Sequence, residues 1–533
     1  MFYMVKFRSL ALALGLSTAL VSGFAQAQMT LRVANMGEPD TLDPQNMSGT
    51  WENRIAGDLF LGLTTEAADG TVIPGTAESW SISADGTVYT FKLRADATWS
   101  DGTPVTAEDF VFAYRRIMDP KRAAKYASLL YPIKGTEEVN SGKETDFTKI
   151  GAKAIDAKTL EITLKEPTPY FLELLTHYTS FPLPKHVVEK AGNDWVKPGT
   201  MVTNGAYMLS AYTPNDKVEL VKNPKFYDAK NVKIEKVIFT GNEDRTEMEK
   251  RFRAGEMDLV TDINPARIDT LTRELPNELK IAPYLGLYYY TFNSANGPTK
   301  DPKVRKALSM VVDRDIITQK VSKAGEIPAF GIVPPGISNY GQALKTDWAD
   351  KPKAERVAMA KKLMEEAGYG PGKPLKLELS YNTSEGHKNI AIAVQSMWKQ
   401  ELGVEAELVN RDVKVHYNTL RDGNFQVGRA GWIADYNDPQ NFLYLLETRT
   451  GSNNYGKFSN ADYDKLMLEA GTTVDLKKRA EIMAKAERIG IDQDALMPIY
   501  FYVSKNLVSQ KLKGFVSNTK DIHRSRWMEI VAN

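Results

Sequence analysis

Along this chain the apolar positions recur with two different periods, and each period predicts a different element. After a turn at Asp85-Gly86, Tyr89, Phe91 and Leu93 interleave with Val88, Thr90 and Lys92. That period of two predicts a strand with one strongly apolar face. Beyond a second turn at Asp101-Gly102, Phe110, Ala113, Tyr114 and Ile117 fall at helical spacing behind Thr106-Ala107-Glu108-Asp109 and stop at Asp119-Pro120. Thr106 and Asp109 have the spacing of a capping box, so a helix is expected to open there. Short strands are expected from Leu31 to Val33 and from Thr159 to Leu164, and a helix from Trp51 to Phe60. Later, helical patterns at Val304 to Val321, Lys353 to Ala367, Lys388 to Gln400 and Leu476 to Ile489 alternate with strand-like runs at Leu375 to Tyr381, Val404 to Val409 and Met497 to Val503. Such alternation predicts α/β lobes.

The first residues carry a different pattern. Lys6 and Arg8 precede an apolar run from Leu10 to Val21, and Ala25-Gln26-Ala27 follows. This is the layout of an export signal over residues 1–27, and the run falls short of the roughly 20 apolar residues needed to span a bilayer. The chain contains no cysteine, so no lipid-bearing residue follows the cleavage site. A free periplasmic protein is expected, not a lipoprotein, and a chain this long can build its core without disulfides. With 533 residues, two or three lobes are expected, and the lack of internal repeats suggests that they interleave in sequence. Lysine and arginine number 68 against 67 acidic residues, which leaves no basic field to attract nucleic acid.

Signatures of catalysis are missing. The five histidines (His177, His186, His387, His416, His523) lack metal-ligand spacing, and no nucleophile elbow or phosphate loop occurs. Gly368-Tyr-Gly370-Pro-Gly372 follows a helical pattern, so it reads as a helix stop. No metal, no cofactor and no enzymatic activity are expected. Aromatic residues concentrate at Tyr284 with Tyr288-Tyr289-Tyr290, at Trp432 with Tyr436, and at Tyr500-Phe501-Tyr502; most of these rings suit the core of half-buried strands. The segment from Gly428 to Pro439 is less ordinary, because it joins a cation, two glycines, a large ring and the isolated carboxylate Asp435 at the end of an apolar strand. A buried acid there needs a cation, supplied either by the protein or by a ligand ammonium.

Several of these motifs together resemble the periplasmic oligopeptide-binding proteins of ABC importers. They are Asp40-Thr-Leu-Asp-Pro44, Tyr89-Thr-Phe-Lys-Leu-Arg94, the run from Trp99 to Phe110, Val202-Thr-Asn-Gly-Ala-Tyr207, Pro283-Tyr284 with Tyr288 to Tyr290, Val312-Asp-Arg-Asp-Ile-Ile317, Tyr381-Asn-Thr-Ser384 and the Asp435 segment. The resemblance implies an α/β periplasmic binding protein of type II, with two lobes built from three interleaved domains. Domain I would comprise 28–60, 186–285 and 504–533; domain II 61–185; domain III 286–503, with a two-strand hinge near 285 and 503. It implies a monomeric receptor that encloses short peptides, murein-derived ones among them, and delivers them to an inner-membrane permease with its ATPase subunits. The alternatives are a receptor for a non-peptide zwitterion, such as a modified amino acid or opine-like compound, and, from another class, a periplasmic enzyme or chaperone.

By the same resemblance, Asp435 takes the ligand's α-amino group, and His387 and Arg429 meet its C-terminal carboxylate. Tyr126, Thr50, Gly431, Trp432 and Tyr502 supply backbone or wall contacts. The chain departs from its relatives in four respects. Gly286 and Ile433 stand for a cysteine pair, and Ser48 for an acidic residue. Leu420 stands for an arginine, with Arg421 expected on the opposite side of a strand. Ser322 stands for a lysine, with Lys323 beside it. These changes imply weak pairing with charged ligand side chains and a preference for neutral or small ones.

Overall fold

The computed structural model describes Met1 and residues 29–531 except 36 and 342. Apart from Met1, the expected export signal lies outside the described residues. Period two holds where it was read: in the strand Val88–Leu93, Tyr89, Phe91 and Leu93 are buried and Lys92 is exposed. That strand sits inside a four-stranded antiparallel sheet with Ala77–Ile82, Ala152–Asp156 and Thr159–Thr163. The helix Ala107–Met118 opens at Thr106, whose amide donates to Asp109 Oδ2 at 2.8 Å, and it buries Phe110, Ala113, Tyr114 and Ile117.

A larger sheet has eleven strands. At its centre lie two long antiparallel strands, Leu279–Phe292 and Leu496–Val508, paired from Leu279 opposite Leu507 to Thr291 opposite Leu496. Their register shifts between Pro283 and Leu287. Proline has no N–H to give to a ladder, so the break has a local cause. On one side of the shift Leu507 and Val508 pair with the strand Leu259–Thr261, which leads on to Thr30–Ala34 and Lys236–Thr240. On the other side, Gly286 to Phe292 pair with the strand Val427–Ile433, which leads on to Lys376–Asn382 and Glu405–Arg411.

The consecutive tyrosines follow from this position. Tyr288 and Tyr290 point into one apolar cluster with Trp398 and Tyr500, whereas Leu287 and Tyr289 point into another with Phe442 and Phe501. A strand covered on both faces has no polar face to show. The single helix expected from Val304 to Val321 is divided, however. The helix Pro302–Met310 ends, Asp313 accepts from the Ile316 amide, and a π-helical turn follows over Ile317–Ser322. Arg314 explains the division, because its buried guanidinium donates to the carbonyls of Ala329, Pro498, Ser309 and Val312 and so draws the chain inward at that point.

Candidate functional site

A cavity of about 230 Å³ lies between segments 48–54, 176–178, 284–285, 433–435 and 520–522, with Tyr126 on its wall. The loop at 48–50 is shaped by Glu52, a buried acid whose Oε2 accepts from the amides of Ser48 and Gly49 at 2.8 Å and whose Oε1 accepts from the Asp40 amide at 3.1 Å. Ser48 and Thr50 are thereby left exposed on the cavity wall. Of the residues singled out in the sequence, Ser48, Thr50, Tyr126 and Asp435 meet here.

Almost every charge lining this cavity is already paired. Lys520 Nζ lies 2.9 Å from Glu173 and 3.7 Å from Glu66, and Glu66 also takes Arg524 at 3.4 Å. Asp521 takes Arg54 at 3.5 Å and His523 at 3.0 Å. His177 is neutral, because burial pushes it down to about 3. Asp435 has no cation within ion-pair distance among the described residues. Asp435 is exposed on the cavity wall, but the protein close around it still desolvates its carboxylate and pushes its pKa up to about 6. Three residues further on, Asp438 shows the contrast: it is buried and holds Arg479 through two bonds of 2.6 and 2.9 Å. The loop therefore has a protein cation for Asp438 and none for Asp435.

Further contacts hold this loop. Asn441 Oδ1 accepts from Trp432 Nε1 at 2.8 Å and from the Asp435 amide at 3.4 Å. Tyr436 stacks on Tyr170, with centroids 4.5 Å apart and planes within 4°.

A second group of the expected residues assembles further along the strand Val427–Ile433. Arg429 is buried; it donates to Tyr502 at 3.0 Å, to Asn382 and Tyr417 at 3.2 Å, and lies over the Tyr288 ring at 4.5 Å. Its Nε has no partner and no carboxylate is in range among the described residues. Burial pulls its pKa down, but the surrounding tyrosine oxygens carry it upward overall, so the guanidinium stays charged. His387, in the first turn of the helix Glu385–Leu402, lies with Nδ1 3.3 Å from the Tyr288 hydroxyl. Burial, and then the charges of Arg429 and His416, push it down to about 3, so it is a neutral hydrogen-bonding group. Gly431 sits opposite Tyr288 and leaves open the space beside Arg429.

Two expectations need correction. Leu420 does not face the cleft: it is fully buried in a cluster with Phe425 and Ala430. It also lies on a helix, Val413–Asp422, so the strand argument for Arg421 does not apply; Arg421 is exposed and bonds Asn418. Lys323 stands apart from both groups, exposed at a left-handed turn (φ 52°) where the π-helical turn ends. Ser322 Oγ donates to Glu326 at 2.9 Å. The reading missed Asn441, His177 and the network around Lys520. The one available signal for the last was density: Lys520, Asp521, His523, Arg524 and Arg526 crowd seven positions near the C-terminus.

The model of the bacterial extracellular solute-binding proteins, family 5, matches residues 71–454. The chain belongs to this family. Among curated relatives, the Escherichia coli periplasmic oligopeptide-binding protein OppA is 40% identical over 94% of this chain and 92% of its own length. The probable deoxycholate-binding periplasmic protein YgiS of the same species is 39% identical over 95% and 94%. A solved structure of the periplasmic murein tripeptide binding protein MppA, in an unliganded open form, superposes with a TM-score of 0.89 at 39% identity, covering 95% of this chain and 98% of that one. A second structure, of the Escherichia coli MppA, gives 0.76 at the same identity. The family fold and the binding-protein class are thus those expected from the motifs.

Proposed function

We propose that this protein is a periplasmic receptor of an ABC importer that encloses short peptides between its lobes and passes them to a membrane permease. The observation that carries the reading is the unpaired carboxylate of Asp435, in a cavity whose other charges are neutralised in pairs. Such a site favours one cationic group, and a peptide's α-ammonium fits it. The ligand's carboxylate would go to Arg429, a charged group with no anion of its own among the described residues, assisted by the neutral His387. The Arg429 guanidinium lies beside position 431, and Asp435 stands just beyond the end of the same strand at Ile433, four residues on, which sets an upper bound of about 13 Å at the rise of an extended strand. That span suits an extended peptide of about four residues, whose backbone can pair with protein strands while its side chains stay in solvated space.

The higher match to an open, unliganded relative supports an open resting state. Closure would bend Leu279–Phe292 and Leu496–Val508 near the register shift, where the resemblance puts the hinge between domains. The names of the relatives support export to the periplasm and a peptide ligand. We propose also that the protein acts as a monomer, with residues 1–27 removed on export.

Thermal melting tests the proposal with di- to pentapeptides. A ligand at a hundredfold its Kd should add about 2.7 kcal/mol of stability if it binds only the folded state. Deoxycholate is the informative control, since it carries a carboxylate and no ammonium. Stabilisation by deoxycholate and by no peptide would overturn the peptide reading.

A further inference from the structure

We infer that Lys125 makes this receptor selective for peptides with an acidic side chain at their second position. The inference rests on the peptide reading above and specifies it. Lys125 immediately precedes the wall residue Tyr126, and its Nζ donates to Ser48 Oγ at 3.2 Å. Ser48, Thr50 and Asp435 line the same cavity, so the ammonium of Lys125 stands at the rim of the site that holds the ligand's amino end.

Two acids in the same stretch of chain as Ser48 are buried and engaged elsewhere. Asp43 takes both Arg116 at 2.8 Å and Arg122 at 3.1 Å. Glu52 turns inward onto three backbone amides. Asp435 faces the ligand's ammonium. Among the described residues, the ion-pair partner of Lys125 is Asp40, whose Oδ2 lies 3.6 Å away in a pair whose side chains are 75% and 52% exposed. An ion pair so open to water is weak and easily exchanged. A ligand carboxylate could take the place of Asp40 on Lys125 while the lysine keeps its bond to Ser48, whereas a ligand ammonium would have to displace Lys125 itself to reach Asp40. The neutral preference expected from the substitutions at 48 and 420 is therefore replaced by an acidic one: Leu420 lies in the core and changes nothing in the cleft, and position 48 has exchanged an acid for a hydroxyl held by a lysine.

Calorimetry with Ala-Glu-Ala-Ala, Ala-Gln-Ala-Ala and Ala-Lys-Ala-Ala at low ionic strength and pH 7.5 tests the inference. The expected order is acidic, neutral, basic, with steps of about two- to fivefold, the range for an exposed charge pair. Lys125→Glu should reverse the order, Asp40→Asn should widen it, and 0.5 M salt should compress it by screening. Equal binding of the three peptides, or an acidic preference that survives Lys125→Glu, would overturn the inference and leave the receptor reading standing. An order unmoved by Asp40→Asn would contradict the exchange of Asp40 for the ligand. Failure of all three peptides to bind would overturn the receptor reading itself.

Discussion

Arg429 folds its guanidinium over Gly431, two residues along the same strand face. A Cβ at position 431 would come within 2.9 Å of Arg429 Nη2 and 3.2 Å of the Tyr502 hydroxyl. Residues two apart on a strand share a face, so the glycine is what allows the long side chain to lie flat against its own strand. Gly431→Ala should push the guanidinium off its bonds to Tyr502, Asn382 and Tyr417. We expect peptide affinity to fall about tenfold, the equivalent of one such displaced charged hydrogen bond, with a melting temperature close to that of the wild type. Calorimetry beside a melting curve separates the two effects. A variant that melts normally and binds normally would show that Arg429 has no role in binding.

Asp435 yields a prediction about pH. Its folded-state pKa of about 6 lies above the usual carboxylate value. A carboxylate raised in this way adds stability fully below its unfolded pKa and loses it as pH rises through the folded one. At pH 7 Asp435 therefore burdens the ligand-free protein, and Asp435→Asn should melt at a higher temperature than the wild type at pH 7, by a margin that shrinks toward pH 4. Peptide affinity should run the other way: in the wild type it should fall roughly tenfold from pH 7 to pH 5 as the acid is neutralised. His387, held down near 3, gains no charge in that interval. Melting curves of both proteins across this range check the sign.

The Tyr170 and Tyr436 stack ties the Asp435 loop to the part of the chain that carries the four-stranded sheet. A double-mutant cycle over Tyr170→Ala and Tyr436→Ala should return a coupling of about 0.5 to 1.5 kcal/mol, as parallel ring pairs do. Additive effects would mean that the rings are neighbours without holding the loop.

Gly286 and Ile433 are direct partners in the antiparallel ladder, and a Cβ on Gly286 would lie 2.5 Å from Ile433 Cδ1. Replacing both with cysteine should form a cross-strand disulfide in an oxidising compartment and raise stability by about 2 to 4 kcal/mol. Thiol titration and melting under reducing and non-reducing conditions would detect it. Two free thiols in the folded double variant would contradict the register.

Much of this was legible in the sequence because period and local chemistry agree where one face is buried. Tyr89, Phe91 and Leu93 alternate with more exposed neighbours, and Thr106 with Asp109 opens its helix, as local rules require. The division after Met310 was not legible, since the apolar pattern runs on while a buried arginine bends the chain. Leu420 was misplaced for a related reason. A position matched to relatives does not say whether its element is a strand or a helix, and on Val413–Asp422 the leucine turns to the core. Asp435 stood out because nothing beside it in sequence could neutralise it. That Asp438 holds Arg479, 41 residues away, could be learned only from the fold.

The pairing of Asp435 with a ligand ammonium is the central claim, and it is tested most directly by calorimetry on wild type and Asp435→Asn with Ala-Glu-Ala-Ala and its N-acetylated form. The wild type should bind the free-amine peptide more tightly by about 2 to 5 kcal/mol, and the variant should bind both forms equally and weakly. Equal affinity of the wild type for both peptides, or a variant that still prefers the free amine by the full margin, would contradict it.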